Sequence, residues 1–241
     1  MHNKDPIFLC FPGFLGLPSD FKFLEEFGLS IEVVDICGKN APSEGQTWAD
    51  WESQILHQFK REFEGQKVIV VGYSMGDRVA LQMLRKNPSW IAAAILISCH
   101  PGLKTETEKI ERMANDNSWA NRFKNDDWIS VIESWNKQPS LLNSFAPQRS
   151  ESQFNRNILR RVLETFSLSR QDYIVDSSIL VPSLICWGQS DNKFEVLVAG
   201  LKQAFKVCHA TSIPEAGHRV IYDNPGYLIE IIKEFIKVNS I

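Results

Sequence analysis

Six short apolar segments recur along the chain, and most are followed by a longer stretch with helical periodicity. The predicted strands are 7–11, 31–36, 67–73, 92–98, 181–187 and 206–213. Their apolar residues are continuous rather than alternating, which is typical of parallel strands covered by helices on both faces. The pattern therefore predicts a mostly parallel, doubly wound α/β sheet. The predicted helices are 18–27, 47–64, 75–87, 193–205 and 225–239.

About 80 residues between Ser98 and Val181 interrupt this alternation. They are polar and aromatic, they contain no convincing strand, and they include three tryptophans and several arginines. A segment this long inside a compact domain is usually functional. We therefore predict one domain spanning residues 1–241, in which residues 101–178 form an inserted helical lid. The alternative is a helical layer that only stabilises the sheet.

Composition narrows the class of partner. The chain has 241 residues, 44% of them hydrophobic, a formal net charge of −3 and a pI near 6.0. This charge gives no basic field for a polyanion, so nucleic acid is not an expected partner. The apolar run in MHNKDPIFLCF is too short for a signal peptide, and no run of 18 apolar residues could insert into a membrane. We expect a cytoplasmic protein.

The five cysteines indicate a reducing environment. Cys10, Cys37, Cys99, Cys186 and Cys208 form no C-x-x-C pair and lie mostly inside or beside predicted strands. They are expected to be reduced thiols of the core.

The segment VIVVGYSMGDR, residues 68–78, carries a G-x-S-x-G motif between a predicted strand and a predicted helix. In a nucleophile elbow the serine occupies a sharp, strained turn, and the two glycines are needed because a side chain there would collide with the neighbouring strand or helix. The motif proposes Ser74 as a nucleophile or base. A simple Gly-Ser turn between two elements is the alternative.

Two later loops begin where predicted strands end, so their side chains should emerge at the same edge of the sheet as Ser74. WGQSDNKF contains Asp191 and PEAGHRVIYDNP contains His218. The order Ser, Asp, His is that of the α/β-hydrolase triad, in which the imidazole takes the serine proton and the carboxylate orients the ring. Singly, Asp191 could be a helix cap and His218 a surface residue.

Such chemistry also needs donors for a developing oxyanion. The loop FPGFLG, residues 11–16, follows the first predicted strand. We assign the oxyanion hole to the backbone N–H groups of Phe14 and of Met75, the residue after the serine. The side chain of Phe14 could equally serve only as an apolar contact.

The chain resembles the 2-succinyl-6-hydroxy-2,4-cyclohexadiene-1-carboxylate synthases of menaquinone biosynthesis, the MenH type of α/β hydrolase. The resemblance spans most of the chain. The segments that carry it are GFLG (13–16), GYSMGDR (72–78), HPGL (100–103), ERMANDNSWANRF (111–123), SWNKQP (134–139), LETFSLSRQ (163–171), GQSDNKF and AGH.

The resemblance implies an α/β-hydrolase fold with the lid inserted after the strand ending near Ser98. It also implies an elimination of pyruvate from a succinyl-enolpyruvyl cyclohexene carboxylate, with Ser74 as the base. No metal or organic cofactor is expected. The substrate is a small polycarboxylate, and arginine forks bind carboxylates bidentately.

By the same resemblance, Arg78 and Arg112 match substrate arginines of the family. A third is expected in the lid, where Arg149 is preferred to Arg156, although either could be a solvated surface charge. Tyr73 and Trp135 would line the pocket or hydrogen-bond the substrate, or could simply pack.

Two residues depart from the family pattern. Pro12 stands where the family usually has histidine before the first-loop glycine; proline there removes a backbone donor and stiffens the turn, so we expect geometry rather than chemistry to change. Asp77 stands where the family usually has glycine, and it could weaken the attraction of Arg78 for a carboxylate or point away from it. A carboxylic-ester or thioester hydrolase, or a carbon–carbon bond hydrolase, would use the same triad. Arg78 and Arg112 discriminate, because an enzyme for neutral esters has no need of two buried guanidinium groups.

Overall fold

The computed structural model describes residues 5–174 and 178–241, and a six-stranded sheet lies at its centre. The strands are β1 (Ile7–Phe11), β2 (Ile31–Val33), β3 (Val68–Tyr73), β4 (Ile91–Ile97), β5 (Ser183–Gly188) and β6 (Cys208–Ile213). They are ordered β2-β1-β3-β4-β5-β6 and every adjacent pair is parallel. The six predicted strands are therefore confirmed. Strand β2 ends earlier than predicted because the chain turns at Asp35, whose carbonyl accepts hydrogen bonds from the Gly38 and Asn40 N–H groups.

Helices connect successive strands. They are α1 (Trp48–Glu62), α2 (Met75–Leu84), α3 (Glu106–Asn125), α4 (Trp128–Asn136), α5 (Arg156–Thr165), α6 (Asn192–Leu201), α7 (Val220–Asp223) and α8 (Pro225–Asn239). The predicted helix 18–27 is a 3-10 helix, Pro18–Phe27. The predicted helix 193–205 is α6 followed by a 3-10 turn, Lys202–Ala204. Helix α2 is three residues shorter than predicted, since Asn87 already has a left-handed φ of 44° before Pro88.

The core has two parts, one on each face of the sheet. Leu9 and Val70 belong to the cluster that includes residues of α1 and α2, whereas Phe8 and Ile69 belong to the cluster with α8. Neighbouring residues of one strand thus bury their side chains on opposite faces, which is why these strands read as continuous apolar runs.

The segment predicted to be the lid contains α3, α4 and α5, together with two 3-10 turns, Glu151–Gln153 and Leu168–Arg170. Its apolar side chains join the core cluster of α1 and α2; for example, the ring of Phe166 lies 4.8 Å from that of Trp51, centroid to centroid. The segment therefore contributes to the core as well as to the cavity described below. Of the predicted range, residues 175–177 lie outside the described residues.

The structure shows whether any helix could cross a membrane and whether the cysteines are paired. Across residues 5–174 and 178–241, no helix combines the length and apolarity that crossing a bilayer requires. The five cysteines are free thiols, four buried and Cys208 half-buried, as expected for core residues. Residues 1–4 of the N-terminal run are outside the described residues.

Candidate active site

Ser74 lies on the turn that joins β3 to α2. Its backbone has φ 55° and ψ −112°, a left-handed conformation that a residue other than glycine rarely adopts. The flanking glycines are required by close contacts: a Cβ on Gly72 would come within 2.5 Å of the Asp77 Cα, and one on Gly76 within 2.1 Å of the Phe11 carbonyl oxygen. A strained serine between two glycines that cannot carry a side chain is what the sequence motif predicts for a nucleophile elbow.

Ser74, His218 and Asp191 form a continuous hydrogen-bonded chain. The Ser74 Oγ lies 2.9 Å from the His218 Nε2, and the His218 Nδ1 lies 3.0 Å from the Asp191 Oδ2. Because a buried carboxylate accepts a hydrogen bond, the imidazole proton is assigned to Nδ1, which leaves Nε2 free to accept from the serine hydroxyl. His218 is also held through its carbonyl, which accepts from the Ser98 Oγ at 3.0 Å. This geometry suits a serine that must be deprotonated.

The two residues predicted to form the oxyanion hole both line the cavity that contains Ser74. Met75 is the first residue of α2, where N–H groups have no partner within the helix and the helix dipole favours negative charge. Phe14 follows β1 and lines the same cavity as Ser74. Its ring packs against Trp135 and Phe123, each at 4.9 Å between centroids. The positions of both residues suit the predicted oxyanion hole.

A cavity of about 280 Å³ lies between the elbow and the lid segment. Its floor includes Ser74 and His218 at the carboxyl edge of the sheet, and its roof includes Arg112, Trp119 and Trp135. Polar and apolar side chains both line it, which is typical of a site for a small polar molecule.

Arg78 is the most deeply placed cation of this cavity. Its residue is only 6% exposed, and its Nη1 donates to the Phe166 carbonyl at 3.0 Å. No carboxylate within the described part of the chain forms an ion pair with it. Burial, with a smaller contribution from the charge of Arg112, lowers the pKa of Arg78 to about 9. The guanidinium thus stays cationic at neutral pH while lacking a counter-ion.

Arg112 reaches the cavity from α3. Its Nε donates to both oxygens of Asp116 at 2.8 Å, and Asp116 also accepts from the Ser167 Oγ at 2.7 Å. These contacts hold the Arg112 side chain through its Nε. The two terminal amino groups of the guanidinium take no part in the pair with Asp116.

A sequence model of the α/β hydrolase fold matches residues 37–225. The chain belongs to the α/β hydrolase family. The predicted fold class is therefore confirmed.

Relatives and solved structures agree with this assignment. A 2-succinyl-6-hydroxy-2,4-cyclohexadiene-1-carboxylate synthase of Salmonella paratyphi B is 28% identical over 179 residues, which cover 71% of this chain and 69% of that protein. The structure of MenH from S. aureus matches with a TM-score of 0.88 and 19% identity over 100% of this chain and 97% of that one. A thermophilic esterase from Thermogutta terrifontis matches with a TM-score of 0.71 and 16% identity, over 98% and 91% of the two chains.

Not all predicted substrate residues of this α/β hydrolase lie in the main cavity. Phe14, Arg78, Arg112 and Trp135 line it, whereas Tyr73 and Arg149 line a neighbouring cavity of about 40 Å³ that shares the walls Phe14 and Trp135. The alternative to Arg149 lies elsewhere again, as Arg156 donates to the backbone carbonyls of Phe123 and Asp126.

Asp77 points away from the cavity. Its residue is 0% exposed, neither carboxyl oxygen makes a hydrogen bond of normal geometry, and it does not pair with Arg78. The Cys99 thiol is near enough to interact with it weakly. Burial raises the pKa of Asp77 well above its ordinary value, which favours the neutral acid. Of the two possibilities left open by the sequence, the structure shows that the side chain points away.

His100, Lys193 and Phe194 are among the residues of the main cavity that the sequence analysis did not assign to the site. The His100 Nδ1 accepts from the Gly102 N–H at 3.1 Å, so the ring proton is assigned to Nε2. Burial, aided by the charges of Lys193 and the arginines, lowers the pKa of His100 to about 3, which keeps the ring neutral. The signal was present, because all three lie in segments that carried the family resemblance, HPGL and GQSDNKF.

Among residues 5–174 and 178–241, no three or more His, Cys, Asp or Glu side chains lie close enough to hold a metal ion.

Proposed function

We propose that this protein eliminates pyruvate from 2-succinyl-5-enolpyruvyl-6-hydroxy-3-cyclohexene-1-carboxylate to give 2-succinyl-6-hydroxy-2,4-cyclohexadiene-1-carboxylate. The reaction is that of the synthases of which the Salmonella paratyphi B protein is one by name. The roles assigned below to Ser74, His218 and Asp191 belong to this proposal.

The observation that carries it is the buried, unpaired cation beside the serine. An uncompensated guanidinium in a protein interior is costly, and the cost is recovered when an anion binds. Arg78 shares its cavity with Ser74 and with the partly free guanidinium of Arg112. A cavity with this charge suits a polycarboxylate and disfavours a neutral ester.

The residues support a base-initiated elimination. His218 Nε2 accepts the Ser74 proton, and the serine oxygen removes a ring proton next to the succinyl carbonyl. The electron pair of that C–H bond forms a double bond between ring carbons 2 and 3, and the existing double bond shifts from carbons 3 and 4 to carbons 4 and 5. The bond from carbon 5 to the enolpyruvyl oxygen breaks at the same time. The imidazolium of His218 gives its proton to the leaving enolate, which becomes pyruvate. Ser74 keeps the proton taken from the ring, so that the hydroxyl and the neutral imidazole are both restored.

Two further groups would stabilise charge during this step. Negative charge develops on the succinyl carbonyl oxygen when the ring proton leaves. We assign its stabilisation to the backbone N–H groups of Phe14 and Met75, two residues that line the cavity. Asp191 stabilises the imidazolium of His218 across the 3.0 Å hydrogen bond.

The rival function is hydrolysis, in which Ser74 would attack an acyl carbon as a nucleophile. The same triad geometry serves both reactions, and the Thermogutta terrifontis protein of similar fold is an esterase by name. What separates the two is the substrate charge that Arg78 and Arg112 accommodate.

A parallel assay tests the proposal. Purified protein is given the succinyl-enolpyruvyl substrate, and diene absorbance is followed together with pyruvate release; p-nitrophenyl acetate is assayed alongside. Coupled appearance of diene and pyruvate, with negligible ester cleavage, is expected, and Ser74→Ala serves as the control for spontaneous elimination. Ester cleavage without elimination would make the protein a hydrolase whose arginines bind another acid.

A further inference from the structure

The two arginines considered as a third substrate cation are already occupied. Arg149 donates to the Leu15 carbonyl, to Tyr222 and to Asp20, and the side chains of its ion pair with Asp20 are only 9% and 6% exposed. Arg156 is bound to backbone carbonyls and pairs with Glu151. A third carboxylate of the substrate therefore needs a different cation.

Lys193 stands at the mouth of the main cavity. It is the second residue of α6, two positions after Asp191. It lines both the cavity of Ser74 and an outer cavity of about 580 Å³ bounded by α3 and Tyr173. Its Nζ lies 5.9 Å from the centroid of the Phe194 ring, and that ring lies 4.8 Å from the ring of His218. The ammonium group and the imidazole of His218 thus both lie near the ring of Phe194.

The charge of Lys193 is uncompensated. In the described ranges it forms no ion pair, and the nearby cations Arg78 and Arg112 repel it. The residue as a whole is exposed, but protein surrounds much of its ammonium group. The resulting desolvation lowers the pKa of Lys193, and the positive charge of Arg112 lowers it further. Asp191 opposes this shift, but that carboxylate is already bound to His218. Three positive charges at one cavity repel one another, and a bound anion would relieve this repulsion.

We propose that Lys193 is the third carboxylate-binding group of this site and that it holds the substrate carboxylate nearest the cavity mouth. This inference rests on the proposed function. The position suits lysine, because an ammonium group works as a mobile point charge at a wet rim, whereas the buried positions are filled by arginine forks. Lys193 is a positioning residue for substrate and takes no part in proton transfer.

The test compares Lys193→Gln, Lys193→Arg and Lys202→Gln. Lys202 is a matched control, since it is an exposed lysine that directly follows α6 and lines neither cavity. Turnover of the succinyl-enolpyruvyl substrate gives KM and kcat. Calorimetric titration with 2-succinylbenzoate, an aromatic analogue of the diene product, and competition by pyruvate give affinities that do not depend on turnover.

Lys193→Gln is expected to raise KM at least about fivefold with kcat within about twofold, and to weaken one of the two binding probes by a similar factor. Lys193→Arg should stay within about threefold of the wild type, and Lys202→Gln should not differ from it. The probe that weakens identifies which carboxylate Lys193 holds.

Unchanged KM and unchanged affinities for both probes in Lys193→Gln would overturn the inference. So would a loss confined to kcat, since Lys193 would then act on the Asp191 loop. If the wild type does not eliminate pyruvate, the proposed function fails, but a Lys193-dependent affinity for either probe would still support the inference. If the wild type binds neither probe and shows no turnover, both are overturned.

Discussion

The buried carboxyl of Asp77 should make the stability of the protein depend on pH in an unusual direction. The residue is 0% exposed and neither of its oxygens makes a hydrogen bond of normal geometry, so burial raises the pKa of the carboxyl well above its ordinary value despite the weak interaction with the Cys99 thiol. The folded state therefore keeps a proton that the unfolded chain releases above about pH 4. The stabilisation of the folded state by this proton is fully present below about pH 4 and is lost as the pH rises towards the pKa that Asp77 has in the folded protein.

The magnitude follows from one proton. Between the unfolded and folded pKa values of Asp77, the free energy of unfolding falls by up to about 1.4 kcal/mol per pH unit. Asp77→Ala removes the pH dependence of the free energy of unfolding. It also removes a carboxyl group without a normal hydrogen bond, whose burial costs about 1–3 kcal/mol. The cavity left behind is no larger than one water, about 30 Å³, which costs about 0.7 kcal/mol. The variant should thus be more stable than the wild type at pH 8, and its advantage should shrink towards pH 5.

Urea unfolding at pH 5, 6, 7 and 8, followed by tryptophan fluorescence, measures this difference. Asp77→Asn is the isosteric control: it cannot titrate but keeps an unpartnered polar group, so its free energy of unfolding should lose the pH dependence without the gain of the alanine variant. Glu62→Gln removes an exposed carboxyl and should follow the wild type at each pH. A constant difference between wild type and Asp77→Asn from pH 5 to pH 8 would refute the reasoning, since the carboxyl would then not change protonation on unfolding.

Three further predictions concern the cavity and its neighbour. Ser74→Ala should abolish pyruvate release while calorimetry finds the affinity for 2-succinylbenzoate largely kept; substantial remaining turnover would show that another group is the base. Arg78→Ala should lower kcat/KM by at least about 30-fold, or about 2 kcal/mol, because a charge-assisted hydrogen bond is lost, and a change below threefold in steady-state assays would contradict its role. Arg149→Ala should lower the free energy of unfolding by about 3–5 kcal/mol because it leaves the buried Asp20 carboxylate unpaired. In Asp20→Asn, where that charge is gone, the same substitution should cost clearly less in urea unfolding, and equal costs in both backgrounds would rule out the pairing.

The sheet and the serine turn could be predicted from sequence because both depend on local pattern. Strand β1 coincides with its predicted range because its apolar run is bounded on both sides by polar or turn residues. The turn at Ser74 could be predicted because Phe11 lies so close to Gly76 that no side chain fits at position 76. Only glycine is accommodated there, and this glycine is part of the motif that the sequence shows. Asp191 and His218 follow from topology, since parallel strands deliver their following loops to one edge.

Which cations remain available to a substrate could not be predicted in the same way, because ion pairing is decided by residues far apart in the chain. Arg149 is occupied by Asp20, 129 residues away, and by Tyr222, 73 residues away. Nothing near position 149 in the sequence indicates either partner. Lys193, two residues from the predicted Asp191, is left without a carboxylate because α6 turns it towards the cavity that Arg78 and Arg112 already make positive. The substrate class of such a site is therefore set by the charge that folding leaves unpaired, and that balance exists only once the lid segment and the sheet edge are packed together.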